Sequence, residues 1–231
     1  MKKVCGLCLV ILMISLISGC ATKFPDTDTV YIQKNGTISE ASVESFDKEY
    51  YSQDELKSFI KDQIADYEDE HDSGNVKMTS FKVEDSTAKL MMKYDGYQSY
   101  ADFNGTEFFA GTVIQAIAAG YAFDVNFAEV EDGKIQGEAL NTESITESGT
   151  EAMLQTTEAA STQATLQTTE AVSADEVTAN DDYKVVILNE DTSVVVNGTI
   201  CYVSSEGVTV KADDTAEVKE LNDQISYIVY K

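Results

Sequence analysis

The sequence predicts an α+β protein, in which an antiparallel sheet carries one or two helices on one face and a small C-terminal all-β module follows a disordered linker. Three observations carry that prediction. Asn35-Gly36 separates two runs of strand-forming residues, and this dipeptide tolerates the positive φ of a tight hairpin turn. Leu56, Phe59, Ile60, Ile64 and Tyr67 recur at the intervals of one helix face. Residues 183–231 are short apolar runs broken by Asn-Glu-Asp, Asn-Gly and Glu-Gly, which is strand and turn chemistry almost throughout.

In chain order, the first domain is expected over residues 29–140. Residues 29–34 and 37–46 flank Asn35-Gly36 as a hairpin. Ser52 and Glu55 then have capping-box spacing at the head of the helix. Burying its five apolar side chains would contribute about 1.5–3 kcal/mol each before ordering entropy is subtracted, so the helix must pack on a sheet. Val76, Met78 and Val83 mark one strand of that sheet, and Ala88, Leu90, Met92 and Tyr94 alternate in the next, with Asp85-Ser86 between them. Residues 106–119 read as a second helix with Phe109, Val113, Ala116 and Ile117 inward and Gly120 as its C-cap. Tyr121, Phe123, Val125 and Phe127 alternate as a further strand, which turns at Glu131-Asp132-Gly133 into residues 134–138. Hairpins separated by single helices imply an antiparallel sheet with its helices on one side.

The sharpest compositional boundary follows. Residues 141–182 contain no aromatic residue, no lysine, nine acids and ten threonines, and Leu-Gln-Thr-Thr-Glu-Ala occurs at both 154–159 and 166–171. A segment this poor in large apolar groups cannot offset the entropy of ordering itself, so it reads as a disordered acidic linker. In the β module beyond it, strands are expected at 184–188, 193–196, 199–204, 208–212 and 225–230. A unit so short, without disulfide or metal, has a marginal core, so it should form a small barrel or dock on the first domain.

At the other end, Lys2 and Lys3 open an apolar stretch over residues 4–17 that closes on Ser18 and Gly19, the plan of a secretory signal. As a helix that stretch would rise about 21 Å against a hydrocarbon core of about 30 Å, which favours cleavage over a permanent span. Leu16-Ile17-Ser18-Gly19-Cys20 resembles the lipobox of bacterial lipoproteins. The resemblance covers only residues 1–20, and the rest of the chain carries no motif of a characterised family. It implies that residues 1–19 are a signal peptide, that the Cys20 sulfur takes a diacylglyceryl group, and that residues 20–28 tether the protein to the extracytoplasmic face of the cell membrane. Two fatty chains of palmitate type on one residue would anchor it stably, where one holds only marginally.

Charge narrows the partners. Without Lys2 and Lys3 the 16 lysines become 14 against 41 acids, so the formal balance moves from −25 to −27. Such a surface repels nucleic acid, which is excluded as a partner, and anionic headgroups alike. No arginine occurs anywhere, which removes the side chain best suited to bidentate phosphate recognition. With Cys5 and Cys8 in the signal and Cys20 acylated, Cys201 is the single thiol of the mature chain, and no internal disulfide can form. It lies in the apolar run Thr199-Ile200-Cys201-Tyr202-Val203, the setting of a buried, inert thiol.

Two stretches offer ligand chemistry. Tyr94, Tyr97, Tyr100 and Phe103 recur at every third position with Asp102 and Asn104 interleaved, either a platform for sugar rings and organic cations or one packed helix face. Glu68, Glu70, His71 and Asp72 crowd the end of the first helix, where carboxylate oxygens suit calcium or magnesium, although the spacing of an EF-hand is missing and a single His disfavours structural zinc. No Gly-x-Ser-x-Gly, phosphate loop or His-Glu-x-x-His is present. The sequence therefore reads as a non-enzymatic, cofactor-free lipoprotein that binds or organises at the envelope. Its partners would be the membrane through Cys20 and a cell-wall glycan or another envelope protein; a small-ligand receptor and a divalent-cation protein are the alternatives.

Overall fold

Thirteen strands and four helices make up the described residues of the computed structural model, 24–71, 75–136, 172–221 and 224–231. The first half runs β1 (Thr29–Ile32), β2 (Ile38–Ser45), α1 (Gln53–His71), β3 (Val76–Glu84), β4 (Thr87–Tyr94), α2 (Tyr97–Asn104), β5 (Phe108–Thr112), α3 (Val113–Ala118), β6 (Phe127–Glu131) and β7 (Lys134–Ile135). The second half runs α4 (Ala174–Thr178), β8 (Lys184–Leu188), β9 (Thr192–Val195), β10 (Ile200–Ser204), β11 (Val208–Ala212), β12 (Thr215–Val218) and β13 (Ser226–Tyr230).

The fold is mixed α+β, and its strands form two sheets rather than one. A seven-stranded sheet has the order β11-β12-β9-β1-β2-β4-β3, and a six-stranded sheet the order β5-β8-β13-β10-β6-β7. Every pairing is antiparallel except β1 with β9, which run parallel from Thr29 opposite Ser193. Residues 183–231, read from sequence as a small barrel or a module docked on the first domain, are spread over both sheets. β8, β13 and β10 sit between β5 and β6, and β9, β12 and β11 extend the sheet outward from β1. The physical reason is core size: these strands bury their apolar faces against the larger first half instead of building a marginal core alone.

The six-stranded sheet is the central layer. On β8, Val186 and Leu188 face the seven-stranded sheet while Val185 and Ile187 face α3 and α4, and all four are buried. β13 repeats the division with Ile228 and Tyr230 on one side and Tyr227 and Val229 on the other. A strand covered on both faces must be apolar at every position, which is why Val-Val-Ile-Leu and Tyr-Ile-Val-Tyr run unbroken. Cys201 is 9% exposed in this layer, and burial raises its thiol above the usual value.

Several local expectations meet different outcomes. The Asn35-Gly36 turn, with Gly36 at φ 85°, joins β1 to β2, and α1 starts beneath Ser52, whose hydroxyl accepts from Glu55 N–H. Asp85 and Ser86, both at positive φ, turn β3 into β4. The helix predicted over 106–119 is corrected: residues 108–112 are β5, paired with β8, and only Val113–Ala118 is helical. Adjacent Phe108 and Phe109 feed opposite faces of the central sheet, so burial on both sides overrides helix periodicity. Thr112 caps α3 by a reciprocal bond with Gln115. Of the strand expected from Tyr121, only Phe127 onward pairs, as β6 with β10. The linker reading is corrected at its end, since Val172 bridges Phe127 and α4 buries Val177 completely. The rest of that reading, residues 141–171, and the signal peptide with Cys20 lie outside the described residues.

The C-terminus closes tightly on the Asn197-Gly198 turn. Thr199 and Lys231 exchange two backbone hydrogen bonds, at 2.8 and 3.0 Å, and a Cβ on Gly198 would press into the Lys231 carbonyl and lie 2.9 Å from the Tyr230 ring. Gly198→Ala is therefore expected to destabilise the protein by about 1–3 kcal/mol, the cost of overpacking a site bounded by backbone. Urea melts of the two proteins measure it, and equal midpoints would refute it.

Candidate functional site

One cleft gathers residues from both candidate stretches. Strand alternation on β2 turns Ile38, Glu40 and Ser42 to one face of the seven-stranded sheet, and alternation on β4 turns Leu90, Met92 and Tyr94 to the same face, with Glu40 opposite Met92. Helix α1 lies over this face and packs Ile60, Ile64 and Tyr67 onto the core. None of its residues is fully buried, and Phe59, read from sequence as inward, is 60% exposed. The helix therefore covers the sheet without sealing it, and a cleft of about 420 Å³ remains between Ile60, Tyr67 and Glu70 on one side and Glu40, Met92 and Tyr94 on the other.

Helix α2 closes one end. Gly105 ends it in the left-handed conformation at φ 64°, where its N–H reaches the Ala101 carbonyl. Its aromatics are spaced so that Tyr97 meets Phe109 at 4.7 Å, Tyr100 meets Phe108 at 4.5 Å, and Phe103 stands 5.6 Å from Tyr67 and 5.9 Å from Tyr94. Tyr94 and Tyr100 meet edge to face at 5.1 Å and 82°. These contacts tie α1, β4, α2 and β5 into one aromatic run under the cleft.

Two carboxylates finish this run. The Tyr94 hydroxyl donates to Glu40 at 2.5 Å, and Asn104 Nδ2 donates to the same carboxylate at 3.5 Å. The Tyr100 hydroxyl donates to Glu190 at 2.8 Å, bringing in a residue from just after β8. Burial first, and then the charges of Glu40 and Glu190, push both phenols far above the usual tyrosine value. Burial likewise raises Glu190, opposed by its bond from Tyr100 and reinforced by the charges of Glu40 and Asp28.

The Glu190 shift sets a pH dependence. Its folded pKa lies above the unfolded 4.5, so the native state holds the proton more tightly and the associated stability is complete below that value and lost as pH rises through the folded one. Glu190→Gln is expected to remove this loss, so the stability difference between variant and wild type should grow in the variant's favour as pH rises above the unfolded 4.5. Urea midpoints at several pH values check it; a constant difference would count against the raised pKa.

Of the ligand candidates singled out from sequence, the cleft takes Tyr94, Phe103, Asn104 and Glu70. Tyr94 and Tyr100 are 0% and 2% exposed, so their rings belong to the core and only the hydroxyls meet polar partners. Tyr97 is half-buried against Phe109, and Asp102 is exposed. His71 stacks on Tyr67 at 4.0 Å with Nδ1 donating to the Tyr67 carbonyl at 2.9 Å, Glu68 is half-buried, and Asp72 lies outside the described residues. Among the described residues no three His, Cys, Asp or Glu side chains are placed to hold a metal ion. Sequence reasoning missed Glu40, Asp66 and Glu190. A charged residue in register with buried Ile38 marks Glu40 once the face of β2 is known, but no local pattern marks Glu190.

No family model, no curated protein and no solved structure matches this chain.

Proposed function

We propose that this protein is held by lipid on Cys20 at the outer face of the cell membrane and binds a small organic cation in the cleft under α1. The observation that carries the binding reading is the chemistry of the cleft lining. Glu40, Asp66 and Glu70 stand beside the rings of Phe59, Tyr67 and Phe103, and among the described residues lining the cleft none is basic. Carboxylates neutralise a cation while aromatic rings attract it by their quadrupoles, each such contact contributing about 0.5–2 kcal/mol. Gln63 and Asn104 add amides for orientation. The reading is of a binder and not an enzyme: Tyr94 and Tyr100 stay protonated at neutral pH, and the hydroxyls of these two hold Glu40 and Glu190 in place. The anchor is supported by Lys2, Lys3, the apolar residues 4–17 and the Leu-Ile-Ser-Gly-Cys motif.

Calorimetry with benzyltrimethylammonium, neutral benzyl alcohol and N-acetylglucosamine oligomers tests the cleft. Binding of the cation alone is expected, weakened at least about fivefold by Glu70→Gln with Asp66→Asn. Heat from the sugar and none from the cation would replace this reading with a glycan receptor, and heat from neither would end both. Intact mass of the N-terminal peptide from cells tests the anchor, since an unmodified Cys20 would remove it.

A further inference from the structure

We infer that the outward face of the β3–β4 hairpin is the surface this protein lays against anionic phospholipid headgroups. The inference rests on the anchor proposed for Cys20, but it concerns which side of the folded body meets the bilayer. While Leu90, Met92 and Tyr94 point toward α1, the alternate residues Lys89, Met91 and Lys93 point the other way. On β3 the bulge after Met78 keeps Ser80 opposite Met91, so that Lys77 stands directly opposite Lys93 and Lys82 opposite Lys89. Like charges directly across two strands repel, and a polyanionic surface relieves that repulsion. Lys82 is engaged with Glu84 at 2.7 Å, whereas among the described residues no carboxylate lies within ion-pair distance of Lys77, Lys89 or Lys93.

In a chain of such negative charge this positive stripe is local. Farther across the same sheet, Asp26, Asp28, Asp191 and Glu217 outnumber Lys211 and Lys219 around one depression. On the opposite side of the hairpin, α1 carries seven acids and two lysines. An anionic bilayer would therefore attract one side of β3–β4 and repel the other.

The tether enters on the attracted side. Phe24 and Pro25 lie against Tyr31, Ser80 and Met91 around a depression of about 480 Å³, and Lys82 Nζ stands 5.0 Å from the Phe24 ring centre. Cys20 is four residues before Phe24, so even a fully extended chain holds the Cys20 Cα within about 14 Å of the Phe24 Cα on this face. Attachment point and positive stripe coincide, and the cleft under α1 then opens away from the membrane.

The acylated full-length protein in vesicles of phosphatidylcholine, with or without phosphatidylglycerol, tests this by acetylation footprinting. Lys77, Lys89 and Lys93 are expected to react about fivefold more slowly on the anionic vesicles, Lys57 and Lys61 of α1 equally on both, and high salt should erase the difference. The combined Lys77→Gln, Lys89→Gln and Lys93→Gln variant, shown folded by circular dichroism, should lose the protection of Met91 from hydroxyl radicals that the wild type shows on anionic vesicles. Equal lysine rates on both vesicles, or Met91 protection unchanged in the variant, would overturn the inference. Protection by soluble polyglutamate but not by vesicles would overturn it in favour of a dissolved polyanion. Should Cys20 prove unacylated, the anchor reading fails separately, and a chain beginning at Cys20 coupled to a maleimide lipid puts the same question to the same face.

Discussion

Residues 24–136 and 172–231, made as separate polypeptides, are expected to stay unfolded apart and to fold when mixed. β5 has only β8 as its strand neighbour, and β6 has β10 and the two-residue β7. Without the second half, Phe108, Phe109, Phe127 and Ala128 lose the layer that buries them, and β1 gains an open edge where β9 should lie. The second half alone keeps β8, β13 and β10 but exposes both apolar faces of that sheet. The expected effect is the whole folding free energy, about 5–15 kcal/mol for a protein of this kind. Far-UV circular dichroism and thermal melting of each piece and of their mixture measure it. A cooperative melt from either piece alone would show that the two halves are independent after all.

Next in size is Tyr227→Ala. Tyr227 is fully buried at the middle of the central sheet, its ring 5.0 Å from Phe123 and 5.8 Å from Phe127, and its hydroxyl donates to the Ala122 carbonyl. That bond holds the irregular stretch before β6 against the sheet, so the ring and the hydroxyl act on one wall of the second core. Truncation should cost about 3–5 kcal/mol, because packed backbone on both sides cannot collapse into the space left. At this chain length that lowers the melting temperature by about 10 °C. Tyr227→Phe keeps the ring and gives up only the hydrogen bond, so about 1 kcal/mol is expected. Equal losses in the two variants would mean that the hydroxyl, and not the ring, dominates.

What could be read from the chain was local. Asn35-Gly36, Asp85-Ser86 and Asp132-Gly133 are turns because their residues tolerate positive φ, and the structure places each of them there. α1 and the β4 alternation carry strong periods, and both are where the sequence puts them. The errors arise where a distant partner decides. Phe-Phe-Ala-Gly-Thr is a short apolar run that fits a buried helix as well as a buried strand, and only its pairing with β8 makes it β5. β12, Thr-Ala-Glu-Val, alternates correctly, yet its Ala and Glu are poor strand formers and it is held by β9 and β11 on its two sides. In the cleft the aromatic spacing pointed to α2 and the acidic run to Glu70, but Glu40 comes from β2 and Asp66 from mid-α1, while Glu190, beneath Tyr100, comes from the turn after β8. Which of forty-one acids faces inward depends on register between segments far apart in sequence, and composition cannot supply that.

The place of β13 has a consequence for biosynthesis. It is the third strand of its six-stranded layer, set between β8 and β10, while β9 must travel back to lie alongside β1. Neither layer can close around a chain synthesised only as far as β7, because strands from β8 to β13 complete both. Folding dominated by such long-range pairing is slow, so the newborn polypeptide remains open at least until β13 has been made. Whatever machinery handles it in that interval meets its apolar strands uncovered.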